Sequence, residues 1–203
     1  VWNRIGDAAN PLGFDTHSAV YDSVGDRLLT YIGYGVLNGS AYPSTGIWEY
    51  RLSEPDSGWR QVITSGNAPS GLANVSLVGD AVNSRMFLFG GFPAYSGTIT
   101  NDLYELFHVG TPTWFTVPAS KDTLRARLNA FMCLDEATHS LVLYGGRAFF
   151  GDHYGEVFDL WTLPLDGPPV WSRVPVASPL PPEREGAQIA WDGARRRILV
   201  HGG

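Results

Sequence analysis

The feature that most limits what this chain can fold into is a long internal repeat. Three residue types recur in a fixed order, and successive copies of each marker lie 55 to 58 residues apart. Because three independent markers keep the same spacing, the chain consists of copies of one structural unit. We place the units at about 6–63, 64–117, 118–174, and 175–203 together with 1–5, in one domain spanning 1–203. The markers are Trp2, Trp59, Trp114 and Trp171; Asp22, Asp80, Asp135 and Asp192; and Gly33, Gly91, Gly146 and Gly203.

Each complete unit contains four short apolar runs separated by turn residues. In the second copy these are "VSLVGD" (75–80), "SRMFLFGG" (84–91), "NDLYEL" (101–106) and "WFTV" (114–117). The second run is apolar at consecutive positions, which is expected of a strand covered on both faces. With 24 Gly and 14 Pro in the chain, breakers come too often for helices. Four-stranded sheets stacked face to face around an axis satisfy these conditions, so the sequence predicts a β-propeller.

The recurring aspartate stands between the first run and a four-residue turn. A carboxylate at this place can accept hydrogen bonds from backbone N–H groups of the turn that follows it. We therefore predict that Asp22, Asp80, Asp135 and Asp192 stabilise the turns between the first two strands of each unit.

The motifs resemble the kelch repeat, in which a hydrophobic strand ends in a double glycine and two spaced aromatic residues follow. Three pairs match the double glycine: Gly90–Gly91, Gly145–Gly146 and Gly202–Gly203. The first copy has Ile32–Gly33 at this place, so we expect its loop to leave the strand differently. We assign the first aromatic position to Trp48, Tyr104 and Phe158, and the second to Trp59, Trp114 and Trp171.

The resemblance implies an all-β, kelch-type β-propeller with four-stranded antiparallel blades, about three and a half of them in this chain. The fourth copy has its first two strands and stops at Gly203, while "WNRI" (2–5) supplies only a fourth strand. Since the third strand of that copy is missing, we expect an open or incomplete ring. The chain is then a segment of a longer propeller, or it completes its ring by self-association with another copy. A self-contained four-bladed ring is the alternative.

Charge and composition bear on the possible partners. The formal net charge is −6, and the one basic run, Arg195–Arg197, falls in a predicted turn. The sequence therefore gives no electrostatic reason to expect a nucleic-acid partner. No apolar run reaches the length of a membrane span. The single cysteine, Cys133, excludes an internal disulfide, and the composition assigns no cellular compartment.

Candidate binding residues come from the loops between blades and the loops between second and third strands. These loops carry aromatic and arginine side chains, which make the strongest interface anchors. Arg127 and Arg184 lie eight residues before Asp135 and Asp192 respectively, so they occupy equivalent places. The resemblance implies that such arginines contact a ligand, and a structural salt link is the alternative. The candidates are Tyr34, Tyr42, Phe92, Tyr95, Arg127, Phe150, His153, Tyr154 and Arg184.

The segment "GDHYGE" (151–156) brings together Asp152, His153 and Glu156, residue types that can bind metals or transfer protons. One His and two carboxylates without a second cluster do not make a metal ligand set, so we predict no metal, no cofactor and no catalytic residue. The predicted function is a non-catalytic binding module that recognises a protein or glycan partner. The alternative is a segment of a propeller enzyme, galactose-oxidase-like or otherwise carbohydrate-active, whose active site needs blades absent from this chain.

Overall fold

A computed structural model describes residues 18–37, 40–93, 97–120, 124–177 and 188–201, with backbone only at 34–37, 40–45 and 188–189. The described elements are strands apart from one 3-10 turn at Pro55–Ser57, so the all-β prediction is confirmed. None of the described segments contains a helix long and apolar enough to cross a membrane. The strands are β1 (Ser18–Asp22), β2 (Arg27–Leu37), β3 (Ser40–Arg51), β4 (Arg60–Val62), β5 (Ser65–Gly66), β6 (Leu72–Ala73), β7 (Ser76–Asp80), β8 (Arg85–Phe89), β9 (Phe92–Pro93), β10 (Leu103–Phe107), β11 (Thr113–Val117), β12 (Arg127–Leu128), β13 (Phe131–Asp135), β14 (Ser140–Tyr144), β15 (Arg147–Phe149), β16 (Tyr154–Glu156), β17 (Leu160–Pro164), β18 (Ser172–Val174), β19 (Gln188–Asp192) and β20 (Arg197–His201).

The long strands form one antiparallel sheet for each sequence unit. The first sheet has the order β1-β2-β3-β4, the second β7-β8-β10-β11, and the third β13-β14-β17-β18. The short strand β5 adds to the second sheet by pairing parallel to β11, and β19 pairs with β20 in a fourth sheet. The innermost strands lie beside one another in the sequence β1, β7, β13, β19. The described residues thus form three blades and a hairpin of an incomplete ring, as predicted.

The faces of neighbouring blades bury the hydrophobic core between them. One cluster joins Leu29 and Tyr31 of the first blade to Met86 and Leu88 of the second. On the same strand, Phe87 points the other way and packs with residues of the third blade in a second cluster. Successive residues of β8 therefore face opposite blades, because side chains alternate along a strand. This alternation explains why the second strands are apolar at consecutive positions.

The strand register corrects one aromatic assignment. Trp48 lies opposite Thr30, and Tyr104 lies opposite Leu88, at matching places in their sheets. In the third blade the matching residue is Trp161, which lies opposite Leu143. Phe158 precedes β17 and is not in the strand, so its assignment to this position is wrong. The chain between β16 and β17 is irregular, which displaces the strand relative to the sequence spacing.

The recurring aspartates stabilise their turns as predicted. Asp22 Oδ1 accepts hydrogen bonds from the backbone N–H groups of Val24 and Gly25, both at 3.1 Å. Asp80 Oδ1 accepts from Asn83 N at 3.2 Å, and the turns after Asp135 and Asp192 have the corresponding bonds. The carboxylates of Asp22, Asp80 and Asp135 are buried, so these bonds form away from water.

The same aspartates belong to ion pairs that reach the next blade. Arg27 Nε donates to Asp22 Oδ2 at 2.9 Å, and its Nη2 lies 3.1 Å from Nδ1 of His108, which follows β10 of the second blade. Arg85 repeats this arrangement with Asp80 and with His139 of the third blade. The buried core and this polar contact therefore lie at the same blade boundaries.

The double glycine after β8 allows the loop that leads into the same blade to approach closely. Gly91 has a φ of 97°, and a Cβ atom there would lie 2.6 Å from the carbonyl oxygen of Ala73. In the first blade β2 continues past Gly33 to Leu37, with a register shift between Ile32 and Tyr34. Without the double glycine the chain extends its hairpin instead of turning away, which confirms the expected difference of the first copy.

Candidate binding site

The loop between β14 and β17 of the third blade folds into a small hairpin. β15 pairs with β16, so that Phe149 lies opposite Tyr154, and β12 adds to the other side of β15. Phe150 N donates a hydrogen bond to the carbonyl oxygen of His153 at 2.9 Å across the turn. Backbone pairing therefore orders the tip of this segment, which the sequence assigns to a loop between second and third strands.

The hairpin presents aromatic side chains to solvent. Phe149, Phe150 and Tyr154 are 46%, 42% and 38% exposed. The rings of Phe149 and Tyr154 lie 5.2 Å apart, and Phe150 stacks on His153 with ring centroids 5.7 Å apart. We call these four residues the aromatic tip. Three large exposed rings at adjacent places form a patch of the kind that marks interaction surfaces.

A cation adjoins the aromatic tip from the loop that precedes β12. The guanidinium carbon of Arg125 lies 5.0 Å from the centroid of the Phe150 ring, within the range of a cation–π interaction. Arg125 is exposed, whereas Arg127, two residues later, is fully buried.

Arg127 forms a buried ion pair with Asp159. Its Nη2 donates to Asp159 Oδ2 at 3.1 Å, and its Nη1 donates to the carbonyl oxygen of Gly145 at 3.0 Å. Burial raises the pKa of Asp159, but hydrogen bonds from Arg127 outweigh it and hold the pKa of this carboxyl below its ordinary value. The side chain of Arg127 is 0% exposed, so in this structure it forms the structural salt link.

Two adjoining hollows border the aromatic tip, and we call them together the tip groove. The first has a volume of about 450 Å³ and is lined by Arg125, Phe150, Val157, Asp159, Trp161 and Arg173. The second, of about 380 Å³, is lined by Phe158, Asp159, Arg173, Val174, Pro175 and Val176. Because Asp159 and Arg173 line both hollows, the groove runs continuously from the tip to the end of the outer strand β18.

The other predicted binding residues are not all gathered at this site. Phe92 is half-buried on β9, which pairs with β6. Tyr34 and Tyr42 belong to the extended hairpin of the first blade, and their side chains lie outside the described part of the structure. Tyr95 and Arg184 lie outside the described residues. Phe150, His153 and Tyr154 are therefore the predicted residues that the structure brings together.

Residue-by-residue reasoning missed two arginines of the groove. Arg125 does not share the repeat position that singled out Arg127, and Arg173 lies in a predicted outer strand. A usable signal for Arg125 was its place in the loop between blades at 118–127, the class of loop that supplied other candidates.

The acidic and histidine residues of the tip do not converge on one point. His153 Nδ1 lies 2.6 Å from Asp152 Oδ1, while Glu156 instead forms an ion pair with Arg147 at 3.2 Å. Across the residues whose positions are described, no three His, Cys, Asp or Glu side chains are grouped so as to hold a metal ion.

Comparison with known proteins assigns the repeat. Residues 4–203 match the family model described as the KLHDC2/KLHL20/DRC7 Kelch-repeats domain, which confirms the kelch-type repeat. Dynein regulatory complex subunit 7 of Chlamydomonas reinhardtii is 27% identical over 127 residues, which cover 60% of this chain and 10% of that protein. This chain therefore matches only about a tenth of that curated relative.

Proposed function

The chain belongs to the kelch-repeat family, and on that basis we propose that it is a binding module that recognises a protein partner through the aromatic tip. The observation that carries this proposal is the exposure of Phe149, Phe150 and Tyr154 on a hydrogen-bonded hairpin. Rings that are already ordered lose little conformational entropy on binding, so they make efficient anchors.

The relative supports a protein partner over a free small molecule. By its name, the Chlamydomonas protein is a subunit of the dynein regulatory complex. A repeat domain that offers an aromatic surface suits such assembly, although fold alone does not establish function. Glycans also stack on aromatic rings, so they are screened in parallel with peptides.

The test is a selection of peptides from a displayed random library on the immobilised chain. We expect the selected peptides to lose affinity for the Phe150→Ala variant by about 1–4 kcal/mol, as for an interface anchor. The matched control is Val82→Ala, which removes an apolar side chain that is 84% exposed on the turn between β7 and β8. Within its blade this turn lies at the end opposite to the loop between second and third strands. The control should therefore bind like the wild type.

Two results would count against the proposal. Selected peptides that bind Phe150→Ala and wild type equally would separate binding from the aromatic tip. A parallel screen on a glycan array gives the second result. If no peptide is selected and a glycan binds in a way that requires Phe150, the partner is a glycan.

A further inference from the structure

We propose that the outer face of the second blade binds an arginine side chain from a basic segment of a protein partner. The surface consists of Phe107, at the end of β10, and Phe115, on β11, which we call the outer pair, together with the carboxylate of Glu105. The aromatic tip belongs to the third blade, so this inference goes beyond the proposed function and does not depend on it.

The outer pair is an exposed aromatic surface beside a carboxylate. Phe107 and Phe115 are 39% and 48% exposed, and their ring centroids lie 5.9 Å apart with the rings nearly perpendicular. Glu105 lies directly opposite Phe115 across the two strands, which places its side chain on the same face of the sheet. The third blade covers the inner part of this face, where Phe87 is buried, and leaves the outer pair open to solvent.

In the first blade, two arginines stand at the places of the outer pair. The strand register matches Arg51 with Phe107, because each lies opposite the first residue of the second strand. Arg60 matches Phe115, because each lies opposite the glutamate of the third strand. The second blade therefore has aromatic rings where its neighbour has cations.

The glutamate beside these places shows the consequence of that exchange. In the first blade, Glu49 accepts from Arg27 Nη1 through Oε2 at 2.7 Å and from Arg51 Nε through Oε1 at 3.2 Å. The matching Glu105 accepts from Arg85 Nη1 through Oε1 at 2.8 Å, and the described part of the chain supplies no cation to its Oε2. A guanidinium from a partner can stack on the outer pair and donate to this oxygen, since arginine combines both interactions.

Charge complementarity indicates a basic segment around that arginine. The formal net charge of the chain is −6, so its surface in general attracts cationic partners. Arg85, which holds Glu105, also lies 3.1 Å through Nη2 from Nε2 of His139 on the third blade. His139 Nδ1 lies 2.9 Å from Asp166 Oδ2, and the Asp166 side chain is 78% exposed. A second cation of the segment therefore meets an accessible carboxylate at the same blade boundary.

The experiment is a selection of displayed random peptides on the Phe150→Ala variant, which lacks an anchor of the aromatic tip. We expect arginine to be enriched in the selected peptides relative to the starting library. Fluorescence anisotropy on synthetic copies should show about tenfold tighter binding than for twins with Gln in place of Arg, and high salt should shrink the difference. Selected peptides without arginine enrichment would overturn the inference.

Two variants in the Phe150→Ala background take their new residues from the other blades. Phe115→Ser introduces the residue found at the matching place of the third blade, Ser172, and should abolish the preference for arginine. Phe107→Arg introduces the residue of the first blade, so the chain's own guanidinium should reach Glu105 and exclude the partner's. Because both positions are exposed, thermal melts should match the parent, so lost binding would not reflect unfolding.

The matched control is Phe149→Ser, which removes a similarly exposed ring from the aromatic tip and should keep the preference for arginine. An arginine preference retained in both Phe115→Ser and Phe107→Arg would overturn the inference. Sedimentation velocity of the chain alone tests a second copy as the occupant: a dimer that Phe115→Ser dissociates would overturn the assignment to a different protein. Because the aromatic tip is tested through Phe150 and the outer pair through other residues, either proposal can fail without the other.

Discussion

Arg27 Nη2 lies 3.1 Å from Nδ1 of His108 and joins the first blade to the second. A guanidinium can only donate, so Nδ1 must accept and the imidazole is neutral. Burial lowers the pKa of His108 below its ordinary value, the attraction to Asp22 offsets this only in part, and the positive charge of Arg27 lowers the pKa further.

The contribution of His108 to stability should therefore decrease as the pH falls below about 6.5, whereas His139, whose pKa is raised by hydrogen bonding to Asp166, contributes in the opposite sense. A histidine whose pKa is lower in the folded state takes up its proton first in the unfolded chain, which favours unfolding at acid pH. Chemical denaturation between pH 5 and 8 should show this loss, and His108→Gln should flatten the curve. The acidic side chains with lowered pKa, such as Asp22 and Asp80, stay ionised in this range.

The control for this pH dependence is His153→Gln, which replaces an exposed imidazole at the aromatic tip. It should leave the curve as in the wild type. A curve that His108→Gln does not change, or that His153→Gln changes equally, would show that His108 is not the titrating group.

Arg127 should prove structural. Replacing it by Met leaves the Asp159 carboxylate without its buried partner, and breaking such a pair costs about 3–5 kcal/mol. The double variant Arg127→Met with Asp159→Leu should recover a large part of that loss, because no unpaired charge is left. Urea denaturation of the wild type, both single variants and the double variant measures this coupling; an additive double variant would contradict the ion pair.

The blade tryptophans should differ in their contribution to stability. Trp114 is 1% exposed between two blades, and its ring centroid lies 6.3 Å from that of Tyr31. Trp114→Ala should therefore lower the free energy of unfolding by about 3–5 kcal/mol. Trp59 is only half-buried against Tyr50, and Trp59→Ala should cost clearly less. Equal losses in the free energy of unfolding would mean that the first blade buries Trp59 as deeply as the second buries Trp114.

Gly33 should not tolerate a methyl group. A Cβ atom there would overlap the carbonyl oxygen of Leu72, which is backbone and cannot rotate away. Gly79 is the matched control, because its Cβ atom would lie 3.6 Å from Val20 in ordinary contact. Gly33→Ala should cost about 1–3 kcal/mol or more, and Gly79→Ala should be nearly neutral. Two equal melting temperatures would refute the close approach.

The blades could be predicted from sequence because their determinants are local. Asp80 accepts a hydrogen bond from the backbone of the turn that follows it. Strand β8 is apolar at consecutive positions because a neighbouring blade covers each of its faces. Such features lie within a few residues of one another, and the repeat supplies independent examples of each. Phe158 was misassigned where this regularity breaks down, in the irregular chain before β17.

The candidate binding site was only partly predictable because its residues are brought together by the fold. Arg127 and Asp159 are 32 residues apart, and no spacing rule links them. Arg125 and Arg173 come from a loop and an outer strand, so only blade formation places them on one groove. The aromatic residues of 147–155 were found because they are adjacent in sequence.

The most direct test of the binding face is a hydrogen-exchange footprint of the chain with and without a selected peptide. We expect slower exchange in 147–156 and around Arg125, where the aromatic tip and its groove lie. The turn between β7 and β8 should exchange at the same rate in both samples. Protection confined to the turns between first and second strands, with 147–156 unchanged, would contradict the aromatic tip as the binding surface.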